Sequence, residues 1–134
     1  MVRNLLLVSL IALLGCASAD KITPVVIPED GSTTDYSEFL PRMRVLAWRA
    51  TEAFYRDRWD ELEEAAQNLE KAVRVLKQSK NVPVRVQTVL STRCDTLIAE
   101  CGHLKSAAHD KAAEPASDYL QKIHVLIREL RSES

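Results

Sequence analysis

The sequence predicts an all-α fold, an up-down-up-down four-helix bundle. Two observations support this prediction. Apolar side chains recur at three- and four-residue steps in four successive segments, which is the period of an amphipathic helix. Glycine is scarce, with three in 134 residues, and aromatic residues make up 5% of the chain. A composition poor in glycine and aromatic residues favours helices over strands.

The first apolar stripe follows Tyr36 and predicts a helix over about 37–56. Its members are Leu40, Met43, Leu46, Ala47, Ala50, Ala53 and Phe54. Asp57 is expected to cap a second helix over about 58–79, because aspartate accepts hydrogen bonds from unpaired N–H groups at a helix start. The second stripe consists of Leu62, Ala65, Ala66, Leu69, Ala72, Val73 and Leu76.

Two further stripes complete the prediction. The third helix is expected over about 83–109, with Val86, Leu90, Cys94, Leu97, Cys101, Leu104 and Ala108 on one face. The fourth is expected over about 114–131, with Ala116, Tyr119, Leu120, Ile123, Leu126, Ile127 and Leu130 on one face. Four amphipathic helices joined by short connections predict one antiparallel bundle over 36–134.

The N-terminus has the layout of an export signal. Arg3 precedes an apolar stretch of signal-peptide length, too short for a spanning helix of ~20 residues. The stretch ends in Leu13-Leu14-Gly15-Cys16, which resembles the bacterial lipobox. This resemblance implies that residues 1–15 are removed and that Cys16 is lipidated.

The destination follows from the cleavage site. Cleavage before Cys16 predicts a lipoprotein, and by the lipoprotein sorting rule the following Ala17 directs it to the outer membrane. Cleavage after Ala19, at the small-residue site Ala17-Ser18-Ala19, predicts residues 1–19 as signal and a soluble periplasmic protein instead. In either case residues up to 35 form an expected flexible tether, because prolines, a glycine and a Ser-Thr-Thr run interrupt any periodicity.

Charge and motif content exclude several functions. The chain has 18 lysines and arginines against 19 aspartates and glutamates, a net charge of −1. Nucleic-acid binding depends on neutralising phosphates, so this balance gives it no support. The sequence shows no carboxylate pair in distinct environments, no nucleophile beside a credible base and no glycine-rich phosphate loop. We therefore predict that the protein is not an enzyme.

Three segments carry a resemblance to a known group. Residues 47–55 read Ala-Trp-Arg-Ala-Thr-Glu-Ala-Phe-Tyr, and residues 59–66 read Trp-Asp-Glu-Leu-Glu-Glu-Ala-Ala. The last helix contains Ile123-His124 and Ile127-Arg128-Glu129-Leu130. Over roughly 37–131 the chain resembles the four-helix cytochromes of the c′ and b562 type and their haem-less bacterial relatives.

The resemblance implies two outcomes for haem. Cytochromes c′ attach haem through Cys-x-x-Cys-His in the last helix, which here contains no cysteine, so covalent haem is excluded. The b562 type holds haem b with a methionine on the first helix and a histidine on the last. Met43 and His124 occupy those helices. The expectation is no cofactor, with haem b through Met43 and His124 as the alternative.

The two remaining cysteines lie on one face of the third helix. Cys94 and Cys101 are seven residues apart, so their Cα atoms would be ~10.5 Å apart, too far for a disulfide. They are expected to be buried thiols. The alternatives are an intermolecular disulfide and a site for a soft metal such as Cu(I). Trp48 and Trp59 are expected to pack at the first corner of the bundle or to form a surface for a partner.

These observations predict a non-catalytic, exported and lipid-anchored bundle of the cell envelope. Its expected role is binding or structural, with an unknown protein or a small ligand as partner. Contact with the membrane is expected through the N-terminal lipid only. The alternatives are non-covalent haem binding with electron transfer, and soft-metal binding at Cys94 and Cys101.

Overall fold

A computed structural model describes residues 34–132, with the exception of the Ser132 side chain. This part of the chain contains four helices: α1 (Tyr36–Tyr55), α2 (Trp59–Lys77), α3 (Val84–His109) and α4 (Ala113–Ser132). Their bounds differ from the predicted ones by at most two residues. The signal peptide, Cys16 and the expected tether up to residue 33 lie outside the described residues.

The helices pack as a four-helix bundle, which confirms the predicted fold class. Each helix packs against its neighbours in sequence, and α1 packs against α4, which closes the ring. The α2–α3 pair is packed most extensively and the α1–α4 pair least. The predicted stripes meet in one core, which includes Met43, Leu62, Leu69, Leu97, Leu104 and Ile123 at 0% exposure. None of the described helices is apolar over a stretch long enough to cross a bilayer.

Two of the corners end a helix in the same way. At the end of α1 the Arg58 N–H donates to the Ala53 carbonyl (2.9 Å), and Asp57 has a φ of 54°. At the end of α3 the Ala112 N–H donates to the Ala107 carbonyl (2.9 Å), and Lys111 has a φ of 52°. Both are Schellman motifs, which place one residue in the left-handed region and satisfy the last carbonyls of the helix.

The expected cap of α2 is therefore wrong. Asp57 does not cap α2, because its left-handed backbone belongs to the motif that closes α1. The N-cap residue is Arg58, whose side chain makes no capping bond. Arg58 instead pairs with Glu61 in the first turn of α2, at 3.1 Å.

The start of the described chain is fixed to the corner between α2 and α3. The Lys80 N–H donates to the Thr34 carbonyl (3.1 Å), and the Tyr36 N–H donates to the Lys80 carbonyl (3.0 Å). Asp35 accepts from the Asn81 amide (2.9 Å) and from the Ser37 N–H (3.0 Å), and these bonds lower the pKa of its carboxyl. Thr34 and Asp35, expected at the end of the tether, thus belong to the fold.

Tyr36 joins the first helix to the last. Its ring is fully buried, and its hydroxyl donates to the Leu130 carbonyl at 3.0 Å. Leu130 lies in the last turn of α4, where carbonyl groups have no partner within the helix. The Tyr36 hydroxyl supplies that partner, so a single side chain satisfies a buried acceptor and holds the α1–α4 seam at one end.

We predict that Tyr36→Phe lowers the free energy of unfolding by about 1–3 kcal/mol, because it leaves the buried Leu130 carbonyl without a donor. Urea denaturation followed by circular dichroism measures the change. Tyr55→Phe is the matched control, since Tyr55 lies on the same helix and is 78% exposed. Equal stability of the two variants would contradict the role assigned to the Tyr36 hydroxyl.

Candidate functional site

A cleft of about 510 Å³ opens between α1 and α4. This volume falls in the range of about 300–1,000 Å³ typical of small-molecule sites. The described residues that line it are Tyr36, Ser37, Leu40, Pro41, Arg44, Trp48, Pro83, His124, Ile127, Arg128 and Arg131. Because α1 and α4 are the least extensively packed neighbours, the bundle opens at this seam.

The cleft has an apolar floor and a polar rim. Leu40 and Ile127 form the floor, where they are 5% and 3% exposed and belong to the hydrophobic core. Arg44 and Arg128 lie on the opposing walls and are exposed. Trp48 extends the α1 wall with 63% of its surface exposed. A ligand in the cleft would therefore meet hydrocarbon below, an aromatic ring on one side and guanidinium groups at the edge.

His124 and Thr51 tie the two walls together at the Trp48 end. The Thr51 hydroxyl donates to the Ala47 carbonyl (3.1 Å), and its oxygen lies 2.8 Å from Nε2 of His124. The two side chains thus share one hydrogen bond, whose direction follows from the tautomer of His124. The His124 ring also makes an edge contact with Trp48, with ring centroids 6.0 Å apart.

The same arrangement keeps His124 neutral. Burial lowers the pKa of His124 below its ordinary value of 6.5, since desolvation penalises the charged imidazolium. The neutral form of the ring therefore predominates at neutral pH. The positive charge of the cleft then comes from its arginines alone.

A second depression lies between α1 and α2 and is larger, at about 600 Å³. Its lining contains charges of both signs, four of which form two ion pairs. Arg56 pairs with Glu52 at 2.8 Å, and Arg58 with Glu61 at 3.1 Å. A surface whose charges satisfy one another offers little to a ligand, so the α1–α4 cleft is the better candidate despite its smaller volume.

The two expected haem ligands lie in different surroundings. His124 lines the cleft, whereas Met43 is fully enclosed in the core and does not line it. Thr51, the partner of His124, follows Met43 by eight residues, which is about 12 Å along α1 at ~1.5 Å per residue. Nε2 of His124 is occupied by Thr51. Haem binding through these two residues stays a prediction from the resemblance.

Cys94 and Cys101 lie in the core, both at 0% exposure and both unbonded to another cysteine. Desolvation raises the pKa of Cys94 to about 11 and that of Cys101 to about 12, with Glu70 and Glu100 adding to the second. Soft metals bind the thiolate, which burial disfavours here. Within residues 34–132 no group of three or more potential ligands surrounds either thiol.

Sequence reasoning missed most of the cleft. Trp48 and Trp59 were expected to pack at the corner of the bundle or to form a surface for a partner. Trp59 packs at the corner, against Phe54, whereas Trp48 lies two turns before the end of α1 and is 63% exposed. Arg44 and Arg128 resembled ordinary solvated positions. One signal could have found them. Arg44 precedes Trp48 by four residues and Arg128 follows His124 by four, so each pair lies on one flank of an apolar stripe.

We predict that both buried cysteines resist iodoacetamide in the native protein and react only when denaturant is added. The thiolate is the reactive form, and burial both disfavours it and blocks access to it. Mass spectrometry of the peptides containing Cys94 and Cys101 measures the labelling. Ser91→Cys, at an exposed position on the same helix, supplies a reference thiol. Labelling of Cys101 as fast as this reference would contradict the burial described above.

We predict that acidification destabilises the wild type more than His124→Gln. The folded protein holds His124 at a lowered pKa, so the unfolded chain takes up this proton first as the pH falls. The free energy of unfolding then decreases below about pH 6.5 and levels off below the folded pKa. Urea titrations from about pH 7.5 to about pH 5 give the free energy of unfolding of both proteins. The pH dependence of the difference between them reports the contribution of His124. A constant difference across that range would refute the assignment.

No protein-family model matches the chain, and neither a curated protein nor a solved structure matches it. The resemblance to the four-helix cytochromes therefore stays a prediction from the layout of the sequence. What the cleft does has to be argued from its own residues.

Proposed function

We propose that this chain is a non-catalytic binding protein of the bacterial cell envelope and that the α1–α4 cleft captures a small ligand. The cleft itself is the observation that carries the proposal. It combines a volume suited to a small molecule with an apolar floor and a few polar groups at the edge, which is the composition of most ligand sites.

The lining supports binding rather than catalysis. General acid–base chemistry commonly combines two titratable groups whose pKa values differ, one as acid and one as base. His124 has no such companion, because no carboxylate or thiol is among the described lining residues. Arginine stays protonated and serves for recognition.

The N-terminus supports a location in the envelope. The export signal and the lipobox-like Leu13–Cys16 run favour an outer-membrane lipoprotein, and cleavage after Ala19 would give a soluble periplasmic protein instead. The leader joins the bundle at Thr34, beside Tyr36 and Pro83 of the cleft. A lipid on Cys16 would therefore be connected to the cleft end of the fold.

We predict that at least one of three twelve-carbon probes binds in the cleft. Dodecanol, dodecanoate and dodecyltrimethylammonium, each kept below its aggregation limit, are titrated into the isotope-labelled protein. Amide chemical shifts in two-dimensional NMR spectra report where they bind. Saturable shifts are expected in the lining segments of α1 and α4, because an apolar chain can cover Leu40 and Ile127.

Two variants serve as the control for this titration. Trp48→Ala removes an aromatic wall of the cleft and should weaken binding, whereas Tyr55→Ala removes an exposed ring outside the lining and should not. The proposal would be contradicted if none of the three probes binds, or if the amide chemical-shift changes are scattered over helices other than α1 and α4.

A further inference from the structure

The cleft carries charge of one sign in a chain that is nearly neutral. Arg44 projects from α1, and Arg128 and Arg131 from α4, while no described lining residue is acidic. The whole chain has a net charge of −1, so this concentration of positive charge does not follow from composition. It is a local property of the α1–α4 seam.

Neither Arg44 nor Arg128 forms an ion pair with any residue of the described range 34–132. Several other exposed arginines of the bundle do pair with a glutamate one turn away, as in Arg56–Glu52 (2.8 Å), Arg58–Glu61 (3.1 Å) and Arg74–Glu70 (2.7 Å). The guanidinium groups of Arg44 and Arg128 line the same cleft from its two walls, and no carboxylate of the described lining neutralises them.

The separation of apolar floor and cationic rim defines the chemistry of the occupant. Leu40 and Ile127 offer hydrocarbon at the bottom, and Trp48 offers an aromatic face. A guanidinium group presents a fixed fork of donors that suits a carboxylate or a phosphate. His124 is neutral and contributes no opposing or additional charge at neutral pH.

We infer that the ligand is a single-chain anionic amphiphile, with an apolar body on the floor and a carboxylate or phosphate head between Arg44 and Arg128. This inference rests on the proposed function, since it names the ligand class of the same cleft. The alternative of a bilayer surface fits less well. Leu40 and Ile127 lie below the rim of a concave site, whereas membrane-surface helices present a broad apolar face outward.

The test uses Trp48 as the reporter. The chain has two tryptophans, so Trp59→Phe leaves Trp48 as the sole one. Its fluorescence is followed during titration with dodecanoate, dodecyl phosphate, dodecanol and dodecyltrimethylammonium at neutral pH. In this background Arg44→Gln and Arg128→Gln are compared with Arg42→Gln, an exposed arginine of α1 that does not line the cleft.

At least one of the two anions is expected to bind about tenfold more tightly than dodecanol, and the cation no more tightly than dodecanol. Arg44→Gln and Arg128→Gln should each lower the affinity for the anion by about tenfold and leave the affinity for dodecanol unchanged, since the alcohol contacts only the apolar floor. Arg42→Gln should change neither. The comparison of carboxylate with phosphate shows which head group the rim prefers.

Two results would overturn the inference while leaving the proposed function in place. One is equal affinity for dodecanol and for both anions, unaffected by Arg44→Gln and Arg128→Gln. The other is that neither free anion binds, while the protein binds phosphatidylglycerol vesicles through its arginines and does not bind phosphatidylcholine vesicles. That result would assign the arginine rim to a lipid bilayer. Binding of no probe at all would instead remove the proposed function.

Discussion

Helices α1 and α4 are the only neighbours in the described bundle that no loop connects, and side-chain hydrogen bonds join them near both ends of the seam. Tyr36, at the start of α1, reaches the Leu130 carbonyl near the end of α4, and His124 reaches Thr51 near the end of α1. The other three helix pairs are joined by short corners and pack more extensively. Between the two bonds the walls carry arginines at the flanks of their apolar stripes. The cleft lies between the Tyr36–Leu130 and Thr51–His124 hydrogen bonds, in the part of the seam that apolar side chains do not fill.

The core could be predicted from the sequence because one physical rule governs it. A helix that packs in a bundle buries one stripe, so residues such as Leu69, Leu97 and Ile123 are found by period alone. The α1–α4 bonds follow no such rule. Thr51 and His124 are 73 residues apart, and neither residue indicates its partner. The Asp57 prediction failed for a related reason, because an aspartate before a helix resembles a cap until the backbone bonds to Ala53 and Phe54 are known.

The expected haem ligands show why the positions of helices do not by themselves define a site. Met43 and His124 lie on the first and last helices, as the resemblance to the b562 type implies. Position along the bundle axis is a separate property, and here the Thr51–His124 bond places His124 roughly two turns from the level of Met43. Similarity to the fold of a cofactor-binding protein therefore predicts where the helices lie more reliably than it predicts the level of individual side chains along the bundle axis.

The arginine rim also bears on stability. Arg44 and Arg128 place like charges on the two walls of the cleft, an arrangement that self-repulsion disfavours. They also occupy flanking positions where apolar side chains could pack across the seam. An anionic head between them would replace repulsion with two charge-assisted contacts, while its apolar body would cover Leu40 and Ile127. Because a ligand that binds only the folded state stabilises it, occupancy and closure of the seam are thermodynamically linked. The least packed pair of helices is then the place where a ligand would contribute most to holding the bundle together.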